Sequence, residues 1–211
     1  MGKIAINAAA VWLVGCTLCC QLVSSNGGVG NHVEPAPVVQ DTILPVPATW
    51  VEPEPEPEAS IRERLADTLL SYLHVKELTG NNDGQEVEMF IEASGLDAKG
   101  QYPWCAAFIS YIYQANCLGV PPYSARAAAW FPPERIIPDK DAVTGDVYSL
   151  YYNSLGRIGH IGMYLLPYLN ETPYVVGGEG NTNAEGSREG NQVAKRLRPR
   201  ATIHNSANWV D

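Results

Sequence analysis

The chain predicts an α+β domain, with helices first and a sheet second. Two observations carry this. Between residues 60 and 116, apolar residues recur at helical spacing in three segments. After Asp141 the pattern changes to short β-rich runs separated by turn-forming stretches. A third observation limits how much of the chain takes part, because the first 59 residues carry neither pattern as a folded domain would.

The N-terminus reads MGKIAINAAAVWLVGCTLCCQLVSS. Lys3 supplies a short positive region, and residues 4–15 are mostly apolar. That stretch is short for a bilayer span but suits the apolar part of a signal peptide, assigned to residues 1–25. Leu13 to Cys16, LVGC, resembles a bacterial lipobox, in which the cysteine is lipidated and becomes the mature terminus. Ordinary cleavage after Ser25 is the alternative. Both readings export the chain, and the first adds a membrane anchor at Cys16.

Residues 26–59 contain EPAPVV, LPVPATW and VEPEPEPEAS, with six acidic residues and no Lys or Arg. Alternating proline and glutamate cannot build a core, so an extended acidic tether is expected. Much of the net charge of −9 therefore belongs to this tether, and that charge argues against nucleic acid as a partner. His32 falls within it.

The folded part is assigned to residues 60–211. Ser60 to Glu63, SIRE, is a capping box, and Ile61, Leu65, Leu69, Tyr72 and Leu73 follow on one helical face. His74 is placed on this first helix as a surface residue. GNNDG makes a turn, in which Asn81, Asn82, Asp83 and Glu86 are either calcium ligands or, as preferred, a turn and helix cap. Residues 85–94 form a second helix with Val87, Phe90 and Ile91 inward and Gly95 as the stop. A third helix runs from about Trp104 to Asn116, and PPYSARAAAWFPP is a loop with one helical turn. Strands are expected at 145–152, 159–166, 173–180 and 192–198, with another in RATIHNSANWV.

Of the five cysteines, only Cys105 and Cys117 lie in the folded part. Twelve residues apart on one helix, they stand about 18 Å apart, whereas a disulfide needs Cα atoms within about 7 Å. Cys105 follows Pro103-Trp104 at the start of a helix, where the dipole and unpaired N–H groups favour a thiolate. Cys117, near the helix end, reads as a small buried hydrophobe. A thiolate nucleophile needs a base and a group to orient that base. His160 opens an apolar strand beside Gly159, whereas His204 lies in a weak pattern. Glu179 and Asn181 sit two apart in VVGGEGN, so a strand would turn both the same way, toward the histidine. Gly177, Gly178 and Gly180 would leave room for substrate or a neighbouring backbone. Lys195, Arg196, Arg198 and Arg200 form a basic run, read as a solvated strand face, with anionic polymer as the alternative contact.

Together, NNDGQEVEMFIEASGL…YPWCAAFISYIY, GDVYSLYY…GHIGMYL and GGEGNTNAEGSREGN resemble the CHAP domain of cysteine- and histidine-dependent amidohydrolases and peptidases in bacterial and phage cell-wall lysis. The resemblance spans about residues 61–211. Its pattern of Cys, His and Glu-x-Asn falls on Cys105, His160, Glu179 and Asn181. It implies a papain-like fold, with the cysteine heading a helix packed on an antiparallel sheet. It further implies cleavage of an amide in peptidoglycan as substrate and partner; no cofactor is expected, and no HExxH or closed Cys/His set suggests zinc. A non-catalytic wall-binding lipoprotein would predict a damaged catalytic position, and none is visible. A transpeptidase or acyltransferase would use the same residues.

Overall fold

A computed structural model of the chain describes residues 59–165, 173–183 and 185–211. The chain divides into two units, Met1–Pro57 and Glu58–Asp211, and the described residues all belong to the second. The expected leader, the lipobox at Cys16, His32 and the tether up to residue 58 lie outside the described residues. Among the described residues no helix is long and apolar enough to cross a membrane.

The unit is α+β. Helix α1, Ile61–Ser71, starts on the capping box: Glu63 N–H donates to Ser60 Oγ at 3.2 Å, and Ser60 N–H donates to Glu63 Oε2 at 2.7 Å. Leu65 and Leu69, four apart, are its buried stripe. Helix α2, Gln85–Ala93, buries Val87, Phe90 and Ile91, and Gly95 ends it at φ +81°. Helix α3, Cys105–Ala115, is buried on nearly every side, as its almost uninterrupted apolar sequence requires of a central helix.

Six strands follow, with a short helical turn, Ala127–Trp130, ahead of them: β1 Ile136–Ile137, β2 Val147–Tyr152, β3 Arg157–Tyr164, β4 Tyr174–Thr182, β5 Gln192–Pro199 and β6 Ile203–Ala207. They form one antiparallel sheet in the order β1-β6-β2-β3-β4-β5. The expected C-terminal strand exists, and it sits inside the sheet between β1 and β2. The two-residue β1 is too short to show alternation and so leaves no strand signal in the sequence.

Both sheet faces are covered. Val147, Ile161 and Met163 face the core shared with the helices. Tyr148, Leu150, Tyr164 and Val175 form a second cluster with Ala142. Successive strand residues point to opposite faces, so a strand buried on both faces reads as a continuous apolar run.

Two expectations need correcting. Cys117 is exposed, not a buried hydrophobe. It has φ +58°; its N–H donates to the Gln114 carbonyl at 3.0 Å, and Leu118 N–H donates to the Tyr113 carbonyl at 3.0 Å. That is the left-handed residue of a helix-terminating Schellman turn, which points the side chain off the helix and into solvent. His74 lies beyond the end of α1, exposed, between the Ser71 carbonyl and Glu86 at 2.8 Å each.

Candidate active site

Among the described residues the β3–β4 ladder pairs Met163 with Gly178 and Tyr164 with Gly177, and Leu165 N–H donates to the Val176 carbonyl at 2.9 Å. Where the strands part, the first turn of α3 meets them. Trp104, the residue capping α3, is fully buried; its backbone N–H donates to Asn181 Oδ1 at 3.1 Å and its indole N–H to Glu77 Oε1 at 2.8 Å. Cys105 follows, 6% exposed. Burial alone would push its thiol pKa up. The nearby charge of His160, with the backbone N–H groups of Ile161 and Ala106, outweighs burial and brings the pKa below its ordinary value.

His160 lies on β3 opposite Leu150, fully buried. Its Nε2 donates to Glu179 Oε2 at 2.9 Å. Its other nitrogen, Nδ1, makes no hydrogen bond of ordinary geometry and is the atom left for the sulfur. Burial opposes protonation of the ring. The Cys105 thiolate and the Glu179 carboxylate more than offset this and raise the pKa to about 9. A thiol pKa pulled down beside an imidazole pKa pushed up favours the thiolate–imidazolium form of the pair over the neutral one.

Glu179 is fully buried on β4. Besides His160, Tyr148 Oη donates to its Oε1 at 2.5 Å, and Arg198 reaches Oε1 through Nε at 2.7 Å and Oε2 through Nη2 at 2.5 Å. Burial would raise its pKa; the hydrogen bonds and charges of Arg198 and His160 hold it well below the usual carboxylate range. Burial and the adjacent carboxylate push the Tyr148 hydroxyl well up, so it stays a donor.

Tyr148 reaches Glu179 only because Gly162 and Gly177 lack side chains: a Cβ at either would overlap the phenol. Gly178 makes the same room for Leu69, and Gly180 for Trp104 and Phe108. The space beside Gly177, Gly178 and Gly180 is therefore filled by packed side chains, neither by substrate nor by a neighbouring backbone, the two occupants the sequence suggests. Gly177→Ala should cost about 1–3 kcal/mol, as overpacking does, read as a lower midpoint of urea unfolding. A wild-type midpoint would contradict the close approach of Tyr148.

Asn181 departs from the expected geometry. A register shift between Glu179 and Thr182 breaks the two-residue alternation, and Asn181 takes φ +53°, a conformation asparagine tolerates better than most residues. Its side chain turns away from His160. Oδ1 holds the Trp104 N–H, while Nδ2 donates to the Gly190 carbonyl at 2.7 Å, Asn82 Oδ1 at 3.1 Å and Glu77 Oε1 at 3.3 Å. Asn181 thus ties the cysteine-bearing turn to the sheet, while Glu179 alone of the two touches the histidine.

Of the remaining candidates, Asn82 joins this cluster through Asn181 and Arg198 through Glu179, while Asp83, Asn81 and Glu86 bond elsewhere. Asp83 accepts from the Thr79 N–H at 2.9 Å and the Thr79 hydroxyl at 2.6 Å; Asn81 donates to that hydroxyl at 2.8 Å, and Glu86 faces His74. Among the described residues no group of three or more His, Cys, Asp or Glu side chains is arranged to hold a metal. His204 is exposed and packs on Tyr151 with ring centroids 4.9 Å apart. The basic run is not a uniform solvated face: Lys195 is exposed, Arg198 binds Glu179, and Arg200 pairs with Asp139 at 3.1 Å.

Sequence reasoning missed the roles of Arg198, Tyr148 and Glu77. Arg198 was visible only as one of several basic residues, and no spacing rule links it to Glu179, which is paired with Ala194 four residues earlier on β5. No model of a known protein family matches the chain, and no curated protein matches it.

Proposed function

We propose that the chain is an exported cysteine amide hydrolase acting on peptidoglycan, built on a papain-like, CHAP-type domain. The observation that carries the amide-hydrolase reading is the buried row Cys105, His160, Glu179, in which one imidazole has a thiol on one side and a carboxylate 2.9 Å away on the other. Peptidoglycan as substrate is supported by the motif resemblance and by the signal peptide expected at residues 1–25.

In this reading the Cys105 thiolate attacks the amide carbonyl carbon. The oxyanion that forms is held by the backbone N–H of Cys105 at the start of α3. The His160 imidazolium gives its proton to the leaving amine, and the C–N bond breaks to leave a thioester. Neutral His160 then takes a proton from water as the water attacks the thioester, which releases the acid and restores the pair. Glu179 stays ionised throughout and stabilises the imidazolium.

Digestion of purified peptidoglycan by the chain, with mass spectrometry of the new ends, tests this. A new L-alanine amino terminus and a freed lactyl carboxyl mark an N-acetylmuramoyl-L-alanine amidase. New ends within the stem or cross-bridge mark an endopeptidase. No new ends, under conditions where the thiol is intact, would remove the proposal.

The lipobox reading makes the chain a membrane-anchored lipoprotein, with residues 26–59 as spacer. Cys16→Ala should then release it from membranes and abolish labelling by a fatty-acid analogue. A wild-type chain that is never labelled and begins at Asn26 would replace this with ordinary cleavage and a periplasmic or secreted product.

A further inference from the structure

Cys105, His160, Glu179 and Arg198 lie in a continuous row, with exposures of 6%, 0% and 0% for the first three and 12% for the Arg198 side chain. When the thiol is ionised the row alternates in sign, minus, plus, minus, plus, and sums to zero. Uncompensated charge is costly in such a place. A cysteine–histidine pair is already neutral, so adding a buried carboxylate would leave one excess negative charge. Arg198 is the group that cancels it, through two hydrogen bonds to Glu179 at 2.7 and 2.5 Å. The other groups facing the row do not carry that charge: Tyr148 and Tyr152 on β2 are neutral phenols with raised pKa values. Arg188 stands over the Tyr152 ring at 5.9 Å and is ion-paired with Glu189.

We propose that Arg198 is a positioning residue of the candidate site, the cation whose charge lets the Glu179 carboxylate and the Cys105 thiolate coexist in one buried row. The assignment rests on the thiol chemistry proposed above. Without Arg198 the row regains neutrality most simply by a proton on Cys105, because Glu179 keeps its hydrogen bonds to His160 and Tyr148. Arg198 also donates from Nη1 to the Gly186 carbonyl at 3.1 Å, which ties the loop after β4 to the same carboxylate.

The test needs no substrate. The rate of iodoacetamide labelling at Cys105 is followed against pH in the full chain, by mass spectrometry of the peptide that carries it. The wild type should show a thiolate limb below the ordinary thiol pKa of about 8.5. Arg198→Met should move that limb up by at least about one pH unit. The double variant Arg198→Met/Glu179→Gln removes both charges, leaves a neutral pair and should bring the limb back toward wild type. Loss of mere packing would leave the double variant as impaired as the single one. An Arg198→Met limb that does not move, or a double variant that stays at the displaced position, overturns the proposal. If Arg198→Met does not fold, the double variant decides alone, since a limb at the ordinary thiol pKa sinks the charge-balance role. A wild-type limb already at the ordinary value would instead remove the underlying thiolate reading.

Discussion

Cys105→Ala should reduce release of new ends from peptidoglycan by about a thousandfold or more, because removal of a nucleophile leaves only binding and oxyanion stabilisation. The same residue should also declare itself chemically. Exposure favours alkylation at Cys117, which faces solvent, over Cys105, which is 6% exposed. Ionisation favours the reverse. The Cys105 thiol pKa is brought down by His160 and two backbone N–H groups, and only the thiolate reacts. At pH 6 the comparison turns on how much of Cys105 is already thiolate. Iodoacetamide at that pH should therefore label Cys105 before Cys117, and the ratio should narrow as the pH approaches 9. Preferential labelling of Cys117 at pH 6, together with turnover surviving in Cys105→Ala, would remove Cys105 as nucleophile.

Much of the fold could be read from the residues because local and tertiary preferences agree. The capping box at Ser60, the stop at Gly95 and the apolar run of α3 each specify an element without help from distant contacts. Cys105 was legible as a candidate from its place at a helix start, and His160 from its place in an apolar strand beside Gly159. The parts that were not legible depend on registry between strands or on irregular backbone. Asn181 was assigned to the face of Glu179 by alternation, and one bulge overturned that. Cys117 was assigned inward as a free cysteine near a helix end, and a left-handed terminator turned it outward. Arg198 reaches Glu179 diagonally across two strands, and Tyr148 reaches it past two glycines on its neighbours. Such contacts fall between residues whose separation along the chain carries no information about them.

Glu179 and Asn181 should separate cleanly by pH dependence. Glu179 acts on His160 by charge, and Asn181 acts on the cysteine-bearing turn through the Trp104 N–H. In kcat/KM the lower limb reports ionisation of the Cys105 thiol and the upper limb loss of the His160 proton, which lies near 9. The Glu179 carboxylate is one of the causes that raise the His160 pKa. Glu179→Gln removes that charge and should move the upper limb to lower pH, with lower turnover throughout. It also leaves Arg198 unmatched at a site 12% exposed, a change that costs about 3–5 kcal/mol in buried pairs. The profile is therefore to be measured well below the unfolding midpoint. The sign for stability follows from the same shift. A raised His160 pKa stabilises the fold below the unfolded value of about 6.5, and that contribution disappears as pH rises through about 9. The lowered Cys105 pKa contributes with the opposite sign in both proteins, so the readout is the difference: the stability of wild type relative to Glu179→Gln should fall as pH rises across this window. Asn181→Ala should lower kcat/KM by about tenfold to a hundredfold through misplacement of the nucleophile, with both limbs unmoved. The measurement is kcat/KM against pH on a defined muropeptide for each variant. A folded Glu179→Gln with an unmoved upper limb, beside an Asn181→Ala whose upper limb has fallen, would exchange the two roles.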